Sequence, residues 1–167
     1  KIDYRAVMPC NLYGPGDNYD PYYGHVIPSL IYKFHKAKNT SEKKVKIWGD
    51  GSPKREFLHV KDMAEACIYL MNISKKKFYN SKKSNTEHVN IGSGTEITIY
   101  DLAKLISKTI GYRGKIVFEK SKPNGTIRKL LDSSKLKKLG WKAKIKLQQG
   151  IKESYLHYIK MNDEYWF

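Results

Sequence analysis

Runs that favour β-strands alternate with amphipathic helical stretches along almost the whole of this 167-residue chain. That alternation argues for an α/β or α+β architecture and against a helix bundle or a β-sandwich. IDYRAVM (2–8) is rich in strand-forming residues and ends at the breaker Pro9. Residues 10–24 set Gly, Pro, Asn and Asp among tyrosines, which predicts a long loop whose rings pack against the body of the protein. A helix is expected from His25, with Pro28 in its first turn and Ile27, Leu30, Ile31 and Phe34 spaced as one buried face. Residues 38–44 end it in a polar surface loop. KVKIW (44–48) alternates as a strand does, GDGSP (49–53) is a turn, and EFLHV (56–60) is a further strand.

Asp62 and Glu65 have capping-box spacing, and Met63, Ala66, Cys67, Leu70 and Met71 make the apolar stripe of the helix they would open. Residues 75–87, rich in Lys, Ser and Asn, read as an exposed insertion. HVNIG (88–92) is the next strand. A second capping box, Thr98 with Asp101, starts a helix that buries Ile99, Leu102, Ala103, Ile106 and Ile110 and stops at Gly111. KIVFE (115–119) and RKLLD (128–132) are expected strands. A last helix, about 147–161, carries Ile151, Tyr155, Tyr158 and Ile159 on one side.

The chain holds 32 basic and 16 acidic residues, a formal charge of +16. All but four of the basic residues are lysine, and lysine used so freely describes a solvated surface, whereas bidentate phosphate contacts favour arginine. The positive field still attracts phosphorylated ligands at long range. A hydrophobic content of 40% with 13% aromatics excludes wholesale disorder. No run approaches the ~18 apolar residues of a membrane span, and KIDYRAVMP lacks the apolar stretch of a signal peptide. Cys10 and Cys67 are too few for a disulfide framework or a cysteine-based zinc site. The expectation is a cytoplasmic, soluble protein with no metal and no membrane partner.

There is no GxGxxG after a first strand, no P-loop, no HExxH and no paired-cysteine spacing. YxxxK, the spacing of a tyrosine–lysine acid/base pair, occurs at Tyr32/Lys36, Tyr79/Lys83 and Tyr100/Lys104. With 13 tyrosines among so many lysines, chance alone supplies about two such matches, and none is assigned a catalytic role.

Longer strings carry more. MPCNLYGPGDN (8–18), GHVIPSLIYKF (24–34), IWGDGSPKREFLHVKDMAEA (47–66), VNIGSGTEITIYDLA (89–103) and SKPNGTIRKLLD (121–132) follow one another in that order. Together they resemble the GDP-L-fucose synthase family of extended short-chain dehydrogenase/reductases, over almost the whole chain. MPxNLYGP and REFLHVxDMA are shared with several nucleotide-sugar epimerases and dehydratases, whereas HVIPxL, WGxGxPxREF and SKPxGTxRKLLD point to this family. The resemblance implies an α/β fold: a few strands of a Rossmann sheet plus the smaller substrate-binding domain. Residues 1–12 and about 55–92 would belong to the Rossmann part. It also implies that the Gly-rich NADP motif, the serine, tyrosine and lysine of the active site and a cysteine used in epimerisation precede MPCNLYGP in the family. The chain would then be the C-terminal, substrate-binding half, inactive alone.

On the matching positions, the resemblance makes His25 an acid/base in epimerisation, a task that suits an imidazole. Arg55 would contact the substrate diphosphate through its planar fork, with Lys33 adding a point charge where many relatives have arginine. Lys129 and Trp48 would bind substrate, Val26 would lie beside the sugar nucleotide, and Asn11 would face it. Pro9 and Leu12 would pass the nicotinamide of NADP(H). Cys10 stands where relatives often carry threonine and is given no role. The implied reaction is 3,5-epimerisation of GDP-4-keto-6-deoxy-D-mannose followed by NADPH-dependent reduction, in a parent that is usually dimeric. Two alternatives remain. One is an epimerase or dehydratase for another nucleotide-sugar; the other is a nucleic-acid-binding module built on residues 120–146, with ten basic residues and one acidic.

Overall fold

Apolar residues at helical spacing place four long helices where the sequence puts them, and the strands between them fall into three small sheets. The computed structural model describes residues 3–80 and 88–164. Its elements are β1 (Ala6–Pro9), β2 (Asn11–Tyr13), α1 (Val26–Asn39), β3 (Lys44–Trp48), β4 (Lys54–His59), α2 (Val60–Asn72) and α3 (Lys75–Asn80). There follow β5 (His88–Ile91), β6 (Glu96–Thr98), α4 (Ile99–Ile110), β7 (Lys115–Glu119), β8 (Arg128–Lys129), α5 (Ser134–Leu139) and α6 (Leu147–Glu164).

β1 runs parallel to β5, and β3 parallel to β7. β4 is the hub of the third sheet. Its residues Phe57–His59 lie parallel to β2, while Lys54–Glu56 run antiparallel to β6 and Lys54–Arg55 parallel to β8. The larger core packs α1, α4 and α6 over these strands, with Ile31, Phe34, Leu102, Ile106 and Ile151 out of contact with water. Burial of each such side chain contributes roughly 2–3 kcal/mol. A smaller core joins β4, α2, β5 and α5 through Leu58, Ala66, Leu70, Val89, Ile91, Leu136 and Leu139. At α4 the expected N-cap forms, with the two residues of the expected box joined through their side chains: the Thr98 hydroxyl accepts the Asp101 N–H at 3.0 Å and donates to its carboxylate at 2.6 Å. Gly111 ends that helix at φ +77°, where a side chain would be strained.

Several expectations are corrected. The first strand ends at Pro9 as expected, opposite Ile91, but it begins only at Ala6 and includes the proline. Because Cys10 N–H bonds to Ile91 O, the missing N–H of Pro9 falls on the edge that β5 does not use. The segment expected as a loop from Cys10 begins with strand β2, and of its tyrosines Tyr13 and Tyr19 pack whereas Tyr22 and Tyr23 are 85% and 88% exposed. Helix α2 is not opened by an Asp62–Glu65 box. His59 is its N-cap, its ring accepting the Lys61 N–H at 3.3 Å, and the buried Asp62 carboxylate accepts the backbone N–H groups of Lys144 and Ile145. Asp62 is recruited by a tertiary contact that no local pattern reveals. Met71 faces water rather than the core. Of the expected insertion 75–87, Lys75–Asn80 is helix α3 with Phe78 buried, while 81–87, with Lys83, lies outside the described residues. The strand expected over 128–132 is only Arg128–Lys129, and β6 and α5 were not expected.

Candidate functional site

The C-terminal ends of β1, β2 and β3, the start of α1 and the start of β4 converge on one cleft of about 860 Å³. That volume is in the range of small-molecule sites, and the ends of parallel strands are where α/β folds bind ligands. Pro9, Asn11 and Leu12 form one wall; His25, Val26 and Lys33 come from the first turns of α1; Trp48 and Arg55 close the other side. These residues are scattered over nearly fifty positions of sequence, and the fold brings them together. Lys129 is the exception. It is exposed on β8, in register with Arg55, and does not line the cleft.

Each side chain is set by its element. Asn11 donates from its amide to Glu56 O at 2.7 Å, which fixes β2 against β4. Glu56 itself is buried, and its carboxylate accepts the Gly94 N–H at 2.7 Å and the Leu131 N–H at 3.1 Å, so one side chain ties three segments behind the cleft. His25 is the N-cap residue of α1 but makes no side-chain capping bond; its exposed imidazole borders the cleft. Lys33 is half-buried, and lost hydration lowers its pKa, with Glu119 opposing the shift. It has no ion pair among the described residues, and Glu119 acts on it only at longer range, so the site holds a partly desolvated cation with no carboxylate in contact. Trp48 is 60% exposed and therefore not a core residue; the Lys122 ammonium lies 5.7 Å from its ring centre. Arg55 donates one N–H to Lys54 O at 2.8 Å, and no carboxylate among the described residues pairs with it. Arg55 and Lys33 thus put positive charge on an apolar-walled cleft, an arrangement that suits phosphate oxygens. Burial, and then the Glu56 carboxylate, push the Cys10 thiol up to about 12, so it stays protonated near neutrality and is not a nucleophile there.

Pro123 and Asn124 also line the cleft and were not singled out from the sequence. The Asn-Gly pair of SKPNGT marks a turn there, but nothing local says where the turn lands.

Below the cleft floor, beside Tyr13, the His59 Nε2 atom is buried without a hydrogen-bond partner, 3.8 Å from the Glu153 carboxylate. Burial holds the His59 pKa below its usual 6.5, outweighing the pull of Glu153. The unfolded chain therefore takes up a proton first as the pH falls, and the stability present above about pH 6.5 is lost below it. His59→Asn keeps an acceptor for the helix cap. Its stability, from urea midpoints, is expected to vary less between pH 7.5 and 5.5 than that of the parent; equal slopes would show that His59 is not responsible.

The model of the NAD dependent epimerase/dehydratase family matches residues 1–92. Across 159 residues the chain is 49% identical to the probable GDP-L-fucose synthase 1 of Oryza sativa subsp. japonica, covering 95% of this chain and 46% of that protein. It is 45% identical to the GDP-L-fucose synthase of Escherichia coli K12, covering 98% of this chain and 51% of that protein. Among solved structures, MlghC, the GDP-mannoheptose C4 reductase from Campylobacter jejuni with NADP bound, superposes with a TM-score of 0.78 at 35% identity, over 92% of this chain and 52% of that one. The chain belongs to the NAD dependent epimerase/dehydratase family. It has the mixed α/β fold of the extended short-chain dehydrogenase/reductases, and it spans about half the length of the curated relatives it matches.

Proposed function

We propose that the chain supplies the substrate-binding part of an NADP-dependent epimerase–reductase that converts GDP-4-keto-6-deoxy-D-mannose to GDP-L-fucose, working as a homodimer. The observation that carries this reading is the convergence of His25, Lys33, Trp48 and Arg55, taken from two separate motifs, on one cleft. Arg55 and Lys33 hold the diphosphate. The Trp48 indole offers a flat face to the nucleotide-sugar, and Val26 borders it. Lys129 reaches the substrate only if it moves from its present exposed position. Residues 1–12 and about 55–92 contribute to the Rossmann sheet, whose further strands add to β1 along the edge that β5 leaves open.

The chemistry begins at the 4-keto sugar, whose C3 and C5 protons are acidified by the carbonyl. His25 takes or returns the proton on one face of these carbons. A second acid/base, which the nucleotide-binding half would supply, acts on the opposite face, so that each centre is inverted. Reduction adds a hydride to C4 and a proton to O4. Pro9, at the C-terminal end of β1, and Leu12, in β2, present a half-buried apolar wall, a surface that fits the flat face of a nicotinamide. When bound, that group supplies the hydride.

The alternative of nucleic-acid binding through 120–146 is disfavoured because key cations there are already engaged. Arg128 pairs with Glu96, Lys144 with Glu65, and Lys135 bonds to His88 O. The test joins this chain to the nucleotide-binding half of a relative and follows solvent-deuterium incorporation and NADPH consumption with the GDP-4-keto sugar. His25→Gln is expected to cut deuterium incorporation at C3 and C5 by at least ~100-fold. Undiminished incorporation in the variant would remove His25 from the mechanism, and no turnover in the parent would refute the reading.

A further inference from the structure

An exposed strap, residues 120–127, leaves the end of β7 and returns to the central sheet as β8. It passes Trp48 and Arg55, which close one side of the cleft. At its start the Lys122 ammonium stands over the Trp48 ring. At its far end Lys54 N–H bonds to Ile127 O at 2.9 Å, and β8 then pairs with Lys54 and Arg55. Between these anchors Gly125 runs close to the Arg55 guanidinium: a Cβ built there would lie 3.6 Å from Nη2.

Asn124 attaches the middle of the strap to the turn after β3. The Asn124 Oδ1 atom accepts the Asp50 backbone N–H at 2.8 Å. The turn is shaped for this contact. Gly49 has φ +79°, and a Cβ on it would collide with Asn124 Oδ1, so only glycine leaves room for the amide. The Asp50 carboxylate meanwhile accepts the Ser52 N–H at 2.8 Å, and its pKa is lowered by Ser52 first and by the Asn124 amide as well. The turn is therefore rigid where Asn124 grips it, and it follows directly on Trp48.

We propose that Asn124 is a positioning residue: by clipping the strap to the Gly49–Asp50 turn, it holds the Trp48 and Arg55 sides of the cleft at the spacing that a nucleoside diphosphate needs. The inference rests on the reading of the cleft as a diphosphate site, and it assigns Asn124 a mechanical task distinct from the charges of Arg55 and Lys33. Without the clip the strap stays tethered at β8 but swings at its centre, and the Arg55 side chain loses its neighbour at Gly125. Part of the energy of binding then goes into ordering the strap.

The acceptor oxygen is the working atom, so Asn124→Ala removes the clip from the strap side. Gly49→Ala, whose Cβ would collide with that oxygen, breaks it from the turn side without altering a residue that lines the cleft. Two readouts on the full chain test this. Amide hydrogen exchange at Asp50, followed by NMR, is expected to speed up at least ~10-fold in both variants. GDP affinity by calorimetry is expected to fall about 10-fold in both, with the melting temperature of Asn124→Ala unchanged because the strap is exposed. Equal Asp50 exchange in parent and Asn124→Ala would overturn the clip whether or not GDP binds. Faster exchange with unchanged GDP affinity would overturn its positioning role. Failure of the parent to bind GDP would refute the reading of the cleft and the positioning role with it, while the exchange rates would still decide whether the clip exists.

Discussion

Replacing Arg55 by alanine is expected to weaken GDP binding by about 2 kcal/mol, or roughly 30-fold, the scale of a charge-assisted phosphate contact. The size follows from how the side chain is held. One N–H is spent on Lys54 O, which orients the guanidinium, and no carboxylate among the described residues competes for the rest. The effect should reside in binding and not in folding, because Arg55 lies on a half-exposed stretch of β4 whose backbone pairs remain with Ile97 and Lys129. Arg55→Lys keeps the charge and loses the fork, and is expected to fall between parent and alanine variant. A thermal melt recorded beside the titration separates the two explanations: a variant that binds GDP as well as the parent contradicts the assignment.

Glu56→Ala should be the most damaging single change to the fold around the site, at about 3 kcal/mol. Its carboxylate is buried and accepts N–H groups from Gly94 and Leu131, both distant in sequence. Alanine would leave both donors without a partner and a void beside Gly92, whose backbone is packed against the Glu56 carboxylate. The same residue's carbonyl holds the Asn11 amide, so the loss is transmitted to the cleft wall. Glu56→Gln keeps one acceptor and is expected to lose about half as much. Urea denaturation of the three proteins checks the order; an alanine variant as stable as the parent would mean that the carboxylate is not the tie described here.

The long helices were legible because their signal is local. Ile27, Leu30, Ile31 and Phe34 repeat at the period of a helix face, and Thr98, Asp101 and Gly111 supply their own start and stop. β6 was not legible and β8 was expected too long, since two or three residues become a strand only where β4 offers them an edge. α5 was hidden by its lysines, although Leu136 and Leu139 carry the necessary i, i+3 pair. Asp62 misled because a capping pattern and a buried tertiary acceptor look alike in sequence. The cleft was legible through motif strings that placed Pro9, His25, Lys33, Trp48 and Arg55, but not through any periodicity. Asn124 escaped for the opposite reason: its partner, the Asp50 N–H, is 74 residues away and is a backbone group that no side-chain pattern encodes.

The central claim is that this chain alone carries a preformed guanine-nucleotide subsite. Calorimetric titration of the chain with GDP and with UDP, each at low and at moderate salt, tests it most directly. Saturable one-to-one binding is expected that favours GDP, survives added salt and weakens roughly 30-fold in Arg55→Ala. No binding, or equal and salt-sensitive binding of both nucleotides, would contradict it, because a general positive field would then explain all the affinity that the cleft residues have been assigned.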